Sequence, residues 1–346
     1  MKTSSYTIGL DLSDRKVAVC ITDHDGSIVS EESLPNTRET YLRLGKQYPR
    51  STAVLETGSH SPWVSRCLKE AGLKTIVANA RKLRAIYTSD HKSDLQDARM
   101  LAKLGRIDPQ LLGPIKHRSE SAQRDLVRMK VRTALVKSRV NQMNSVRFLL
   151  KSLGVKVPSQ VKASYFAYKT REQVEPEYIK LVEPLLDSID SLSAQIKEVE
   201  TELKELAHTK YPVTEQLEQI PGVGPMTSLA FVLTIEDPKR FKRARDVGAY
   251  LGLTPRIDQS GDTNKQLRIT KAGNTELRCL LVNCSHYILG RFGPDSDLRE
   301  AGLRICARGG SISKKKAAIA TARKLAVTMM AIWQSGCSYQ PLRTAA

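Results

Sequence analysis

Over the first eighty positions apolar residues come in short runs, and beyond about position 120 they recur in steps of three and four. Tyr6-Thr7-Ile8-Gly9-Leu10-Asp11 and Val17-Ala18-Val19-Cys20-Ile21-Thr22 have the length and composition of strands, and Asp25-Gly26 marks a turn before Ser27-Ile28-Val29. Three antiparallel strands are expected. The pattern then predicts a helix over Thr37 to Tyr48, a strand over Thr52 to Glu56, a helix from Pro62 to Ala71 closed by Gly72, and a strand over Lys74 to Ala78. A meander followed by alternating strands and helices is the order of an RNase H-like or actin-like α/β fold.

From Ser119 the period becomes helical. Leu185, Ile189, Leu192, Ile196, Val199, Leu203 and Leu206 alternate in four- and three-residue steps, which is the seam of a coiled coil. Asp125 to Leu150 also reads as helix, with Arg128, Lys130, Arg132, Lys137 and Arg139 forming either a basic face or an ordinary solvated one. The acidic run Glu198, Glu200, Glu202 and Glu205 complements it across a helical hairpin or between chains. Pro212 opens a third, mainly helical region, in which Ile220-Pro221-Gly222-Val223-Gly224-Pro225 forms a glycine turn between helices. In the helix-hairpin-helix pattern such a turn offers backbone N–H groups to phosphate without reading bases.

Charge narrows the choice of partner. Lys and Arg number 55 against 36 Asp and Glu, a formal net charge of +19 spread along 346 residues, which favours a polyanion and, of those, nucleic acid over membrane. No stretch has the apolar length of a transmembrane span, and no signal peptide precedes the first strand, so a cytoplasmic protein is expected. The six cysteines form no CxxC pair and read as buried, reduced thiols with no structural zinc.

Against this basic background four carboxylates stand out. Asp11 and Glu56 fall at carboxyl ends of expected strands, where open α/β sheets place their sites. Asp94 and Asp97 are three apart in the first turn of a helix that Ser93 and Gln96 mark with a capping-box signal, so they share one helical face. Each acid taken singly has an ordinary explanation in the helix dipole or a turn. Together they suit magnesium, which takes oxygen ligands and supports phosphoryl transfer. Asp14, Asp23, Asp25 and Asp90 are assigned to turns.

The third region also holds Gly248 to Arg256, then Ser260-Gly261 in a short loop, then Lys271-Ala272-Gly273-Asn274 leading into an apolar helix from Leu277 to Leu289. Arg256, Lys265 and Arg268 can neutralise a phosphate beside Ser260, and Gly261 permits close backbone approach. A serine hydroxyl needs a base or metal to act as a nucleophile, and no His lies near in sequence.

With the Asp11 strand, Leu55-Glu56-Thr57-Gly58, Lys92-Ser93-Asp94 with Asp97-Ala98, Pro221-Gly222-Val223-Gly224-Pro225, Gly252-Leu253-Thr254-Pro255-Arg256, Ser260-Gly261 and Lys271-Ala272-Gly273-Asn274 in order, the chain resembles the DEDD-type transposases of the IS one-ten insertion-sequence family, the bridge-RNA-guided recombinases, over essentially its whole length. The resemblance implies a RuvC-like DEDD domain over 1–118, a helical coiled-coil section over 119–209, and a transposase domain over 210–346. It implies that Asp11, Glu56, Asp94 and Asp97 hold Mg2+ and that Ser260 attacks a DNA phosphate to form a covalent intermediate. Thr254, in a packing motif, and Ser285, on an apolar helix, are weaker nucleophile candidates. Expected partners are donor and target DNA, a structured noncoding bridge RNA that selects sequence by pairing, and further copies of the chain as dimer and tetramer. Gly222, Gly224, Arg256, Lys265, Arg268 and Lys271 are the expected nucleic-acid contacts. Two rival functions remain: a RuvC-like structure-specific endonuclease using metal-activated water, and a nonenzymatic RNA-binding scaffold. An actin-like sugar kinase would need further phosphate loops that the chain lacks.

Overall fold

A computed structural model describes residues 6–86, 93–261 and 263–342, which divide into two compact units, Met1–Ser119 and Glu120–Ala346. Asp90, assigned to a turn from sequence, and Lys92 lie outside the described residues.

The amino-terminal unit follows the expected element order. Strands β1 (Thr7–Leu12), β2 (Lys16–Thr22) and β3 (Ile28–Pro35) form the antiparallel meander; α1 (Arg38–Gln47), β4 (Thr52–Glu56), α2 (Ser61–Glu70), β5 (Lys74–Ala78), α3 (Ala80–Ile86) and α4 (Asp94–Ile107) follow. The sheet order is β3-β2-β1-β4-β5, with β4 parallel to both β1 and β5. Its two faces differ in side-chain size. Ile8, Leu10, Val19, Ile21 and Leu55 pack against Tyr41, Leu44, Val64 and Leu68 of α1 and α2. On the other face Ala18 and Cys20 meet Ala98 and Ala102 of α4.

Small residues there let α4 approach the sheet closely. A methyl group built on Gly9 would overlap the Ala98 carbonyl oxygen and come within 2.6 Å of the Ala102 nitrogen, and one on Gly105 would overlap the Val54 side chain. Burial pushes the Cys20 thiol up to about 11, with the nearby Glu31 carboxylate adding to the effect. Glu31 itself accepts from Arg99 of α4, an ion pair that holds the carboxyl below its usual range and ties α4 to β3.

In the second unit α5 (Glu120–Ser152), α6 (Phe166–Gln173) and α7 (Pro176–Lys210) come first. The long helices α5 and α7 pack antiparallel within one chain: Arg132 pairs with Glu200, Arg139 donates to Ser193, and Lys210 and Tyr211 both donate to the buried Asp125. Ile189, Ile196 and Leu203, seven apart, are buried along the contact. The remaining elements are α8 (Val213–Glu218), α9 (Pro225–Ile235), α10 (Val247–Tyr250), β6 (Pro255–Ser260), β7 (Thr263–Ile269), α11 (Thr275–Leu289), α12 (Asp297–Cys306) and α13 (Gly310–Ser335). The ends of α5 and α7 contribute Ala122, Leu126, Met129, Leu203 and Ala207 to the same core as Phe231, Leu281 and Leu325, so the helical pair and the carboxyl-terminal region share one apolar interior.

The cysteines correct one expectation. All six are free, and Cys20, Cys67 and Cys284 are buried, but Cys279 on the outer side of α11 and Cys337 beyond α13 are exposed. An apolar helix still turns one stripe to water, and Cys279 falls on it.

Gly9→Ala is expected to destabilise the amino-terminal unit by about 1–3 kcal/mol through overpacking. Urea unfolding followed by Trp63 fluorescence in a Trp333→Phe background measures this, and an unchanged midpoint would mean that α4 does not rest on β1.

Candidate active site and nucleic-acid surface

The parallel pairing of β1 with β4 runs in register through Leu10 and Leu55, so Asp11 and Glu56, the next residue of each strand, lie side by side on the same face of the sheet. That face carries Gly9 and Val54, the residues on which α4 rests. The direction of α4 follows from its far end. Arg106 lies against Gly26 and donates to the His24 carbonyl at 3.3 Å, in the turn that joins β2 to β3 beside the amino end of β1. The first turn of α4 therefore sits at the opposite end, where Asp11 ends its run.

Asp94 and Asp97 occupy that first turn, and Ser93 caps it by accepting from the Gln96 amide at 3.3 Å. The reciprocal half of the expected capping box does not form, because the buried Gln96 Oε1 has no hydrogen-bond partner among the described residues. All four acids thus share one face and one end of the sheet, with Asp94 exposed and Asp11, Glu56 and Asp97 half-buried. Among the described residues, the only three ligating side chains with donor atoms all within 4.8 Å of one another are Asp23, His24 and Asp25, so the four acids are gathered without closing on a point. Asp23 is the turn residue expected: its Oδ1 accepts from the amides of Asp25, Gly26 and Ser27. Asp14 does more than end a strand, since it pairs with His60 at 2.9 Å; His60 follows the Glu56 strand and was not singled out by sequence.

Ser260 lies in the other unit. The segment expected as a loop is an antiparallel β-hairpin, and Ser260 is the last residue of β6, paired with Thr263 across a turn in which Gly261 has φ +53°. Gly-Asp is a two-residue hairpin signal, but the flanking segments are too polar to show the alternation of a half-buried strand. From Arg256 to Arg268 every described residue is exposed, Ile257 to 68%. Strand alternation puts Lys265, opposite Asp258, on the face of Ser260, while Leu267 and Arg268 fall where the register shifts. Arg256 falls at the irregularity between Pro255 and Ile257.

The hairpin's base is held rigidly. Arg278 is buried and donates to the carbonyls of Leu251 at 3.0 Å and Gly273 at 3.3 Å, to that of Ala272, and to the Thr275 hydroxyl at 2.9 Å. Gly252, at φ +70°, lies so close to Ala272 that a side chain would collide with its backbone. Lys271 takes φ +54°, and its amide donates to Gly252 O at 3.1 Å. Of the two other serine or threonine candidates, Ser285 is fully buried and donates to Val282 O, while Thr254 pairs through its carbonyl with the Thr270 amide.

The glycine turn joins α8 to α9 as expected. Gly222 has φ +90°, and among the described residues no acceptor stands on the amides of Gly222, Gly224 or Met226. This turn and the hairpin are not neighbours. Asn274, at the hairpin's base, donates to Thr234 at the far end of α9, about 15 Å from the turn by helical rise.

Two family models match the chain. Residues 8–154 match the family model of a DEDD transposase, and residues 214–299 match that described as the transposase IS116/IS110/IS902 family. The chain belongs to this transposase family. A probable family 20 transposase of Pseudomonas aeruginosa is 26% identical over 96% of this chain and 98% of its own length. A pilin gene-inverting protein of Moraxella bovis is 29% identical over 95% and 96%, and a transposase for insertion sequence element IS1111A of Coxiella burnetii is 24% identical over 86% and 81%. The transposase is therefore an enzyme of DNA cleavage and rejoining, and among its described residues no helix is long and apolar enough to cross a membrane.

Arg278→Ala in the transposase is expected to cost about 2–4 kcal/mol, because several buried carbonyls lose their donor at once, and Arg278→Lys should recover only part, since an ammonium cannot span them. Thermal unfolding measures both. Wild-type stability in the alanine variant would show that the guanidinium does not hold the hairpin's base.

Proposed function

We propose that this transposase uses Ser260 as its nucleophile and that Asp11, Glu56, Asp94 and Asp97 hold divalent metal ions, Mg2+ by their chemistry, in a RuvC-like domain. The observation that carries the reading is the gathering of four carboxylates at one end of one sheet face by the close packing of α4 on Gly9. The donor set fits a hard cation: four carboxylates without thiol or imidazole, beside a buried Gln96 Oε1 that lacks a donor. Ions held there would neutralise charge developing on phosphate oxygens.

The chain's own groups supply the rest. Ser260 Oγ, exposed at a hairpin tip, meets a phosphodiester without clearing a pocket. Attack forms an Oγ–P bond and breaks the P–O bond to one flanking deoxyribose, whose oxygen leaves with a proton. The diester energy is kept in the serine linkage, so a second DNA hydroxyl can reverse the step and rejoin strands. Lys265, on the same hairpin face, offers charge to the phosphate. The free amides at Gly222 and Gly224, with Arg256, Arg268 and Lys271, support backbone contact without base readout. A guide RNA pairing with donor and target DNA, and assembly as dimer and tetramer, complete the proposal; the resemblance and the net charge of +19 support them.

Trapping the covalent adduct separates this reading from its rivals. A DNA substrate should become linked to the wild-type chain, Ser260→Ala should lose the link entirely, and Ser260→Cys should restore a thiolate-linked adduct. An adduct that survives Ser260→Ala would assign the attack to another side chain, and cleavage by the wild type with no adduct at all would leave the water-activating endonuclease.

Asp94→Ala and Asp11→Asn should each lower strand exchange by at least about 100-fold, with melting temperature and DNA binding retained. Chelation should do the same to the wild type, and added Mg2+ should reverse it. Exchange that persists in both variants would exclude these acids from the site.

A further inference from the structure

Helix α11 turns one stripe inward, with Leu277, Leu281, Cys284, Ser285 and Ile288 buried at steps of three and four. Tyr287 lies beside that stripe and remains 46% exposed. Its ring rests on the glycine turn: a methyl group on Gly222 would come within 2.7 Å of Tyr287 Cδ1 and 3.4 Å of Cys284 O. Glycine is thus required at 222 by its φ of +90° and by the ring that occupies the place of a side chain. One edge of the ring is fixed by backbone, and nearly half its surface faces water.

A second ring follows in the next turn. Gly290 ends α11, the Gly293 amide donates to Gly290 O at 3.2 Å, and Arg291 and Phe292 are the two residues between. Arg299 clamps this turn by donating to Ile288 O and Gly290 O, both at 2.6 Å. Phe292 is 70% exposed, and the Arg291 guanidinium lies 4.4 Å from its ring centre. Phe292 is thus presented to solvent on a clamped turn, under a cation. Apolar rings that are exposed, held by backbone and accompanied by positive charge suit a partner with flat faces and negative charge.

We propose that Tyr287, Arg291 and Phe292 form a stacking surface for unpaired bases of a DNA strand, the glycine turn beside Tyr287 taking its phosphates. The proposal rests on the nucleic-acid reading given above and adds to it a contact with bases that is independent of sequence. Helix α11 starts at the base of the Ser260 hairpin and reaches Tyr287 in its last turn, about 18 Å away by helical rise. The surface therefore holds DNA away from the scissile phosphate, where strand separation leaves bases without partners.

The test measures binding of the full chain to a single DNA strand and to the same backbone made abasic, over a range of salt. Tyr287→Ala and Phe292→Ala should each weaken binding of the strand with bases by about tenfold, leave the abasic strand unchanged, and leave the salt slope steep. Tyr287→Phe should bind as the wild type, because the ring and not the hydroxyl makes the contact. Equal losses on both strands, or no loss in either alanine variant, would overturn the stacking surface while the steep slope keeps the nucleic-acid reading. A flat slope in the wild type would overturn that reading itself. If Tyr287→Ala fails to fold, Phe292→Ala and Tyr287→Phe still decide the matter.

Discussion

The absence of a side chain at Gly9 lets α4 lie directly on β1, and the placing of the four acids together depends on that contact. With any larger residue the Ala98 carbonyl would be displaced, and the first turn of α4 would move with it. Ala98, Ala102 and Gly105 repeat the device along the helix, so its whole inner face is small where the sheet beneath is small. The gain is positional more than energetic: close backbones bury less apolar surface than interlocked leucines would, but they fix a helix end to within a fraction of a residue. Asp94 and Asp97 inherit that precision from a contact one turn away.

The second unit solves a related problem differently. A two-stranded hairpin exposed along its length has no core of its own and is marginal in isolation. Its order comes from its base, where Gly252 and Gly273 let two loops touch and a single buried guanidinium satisfies three carbonyls at once. The arrangement leaves the tip bearing Ser260 projecting from the helices while its root is fixed. The stability that the exposed strands lack is supplied by polar bonds at the root.

Electrostatics divides the labour further. Positive charge is distributed along the chain, as binding a polyanion at many phosphates requires, whereas Asp11, Glu56, Asp94 and Asp97 are gathered at one end of one sheet face. Carboxylates at one sheet end repel one another as well as DNA, and the positive end of the α4 dipole offsets part of that cost. Several other acids have internal partners: Asp125 is matched by Lys210 and Tyr211, Glu200 by Arg132, and Glu183, Asp187 and Asp190 together by Arg171.

What the sequence determined alone was local. The strands at 52–56 and 74–78 were legible to the residue, because a strand's apolar run and a helix's three-four step are properties of neighbours along the chain. For the same reason the four acids stood out at strand ends and in a helix's first turn, and the glycine turn between two helices was evident. The tertiary structure decided what depends on distant partners. It paired β1 with β4 in parallel, set the direction of α4 by the contact of Arg106 with the β2–β3 turn, and folded the long helices back within one chain. It drew Asp14 to His60 and buried Arg278 against two loops that precede it in sequence, one ending α10 and one leading into α11. Periodicity records which face of an element avoids water; which other element covers that face, and in which direction it runs, is settled only when separate segments compete for the same surface.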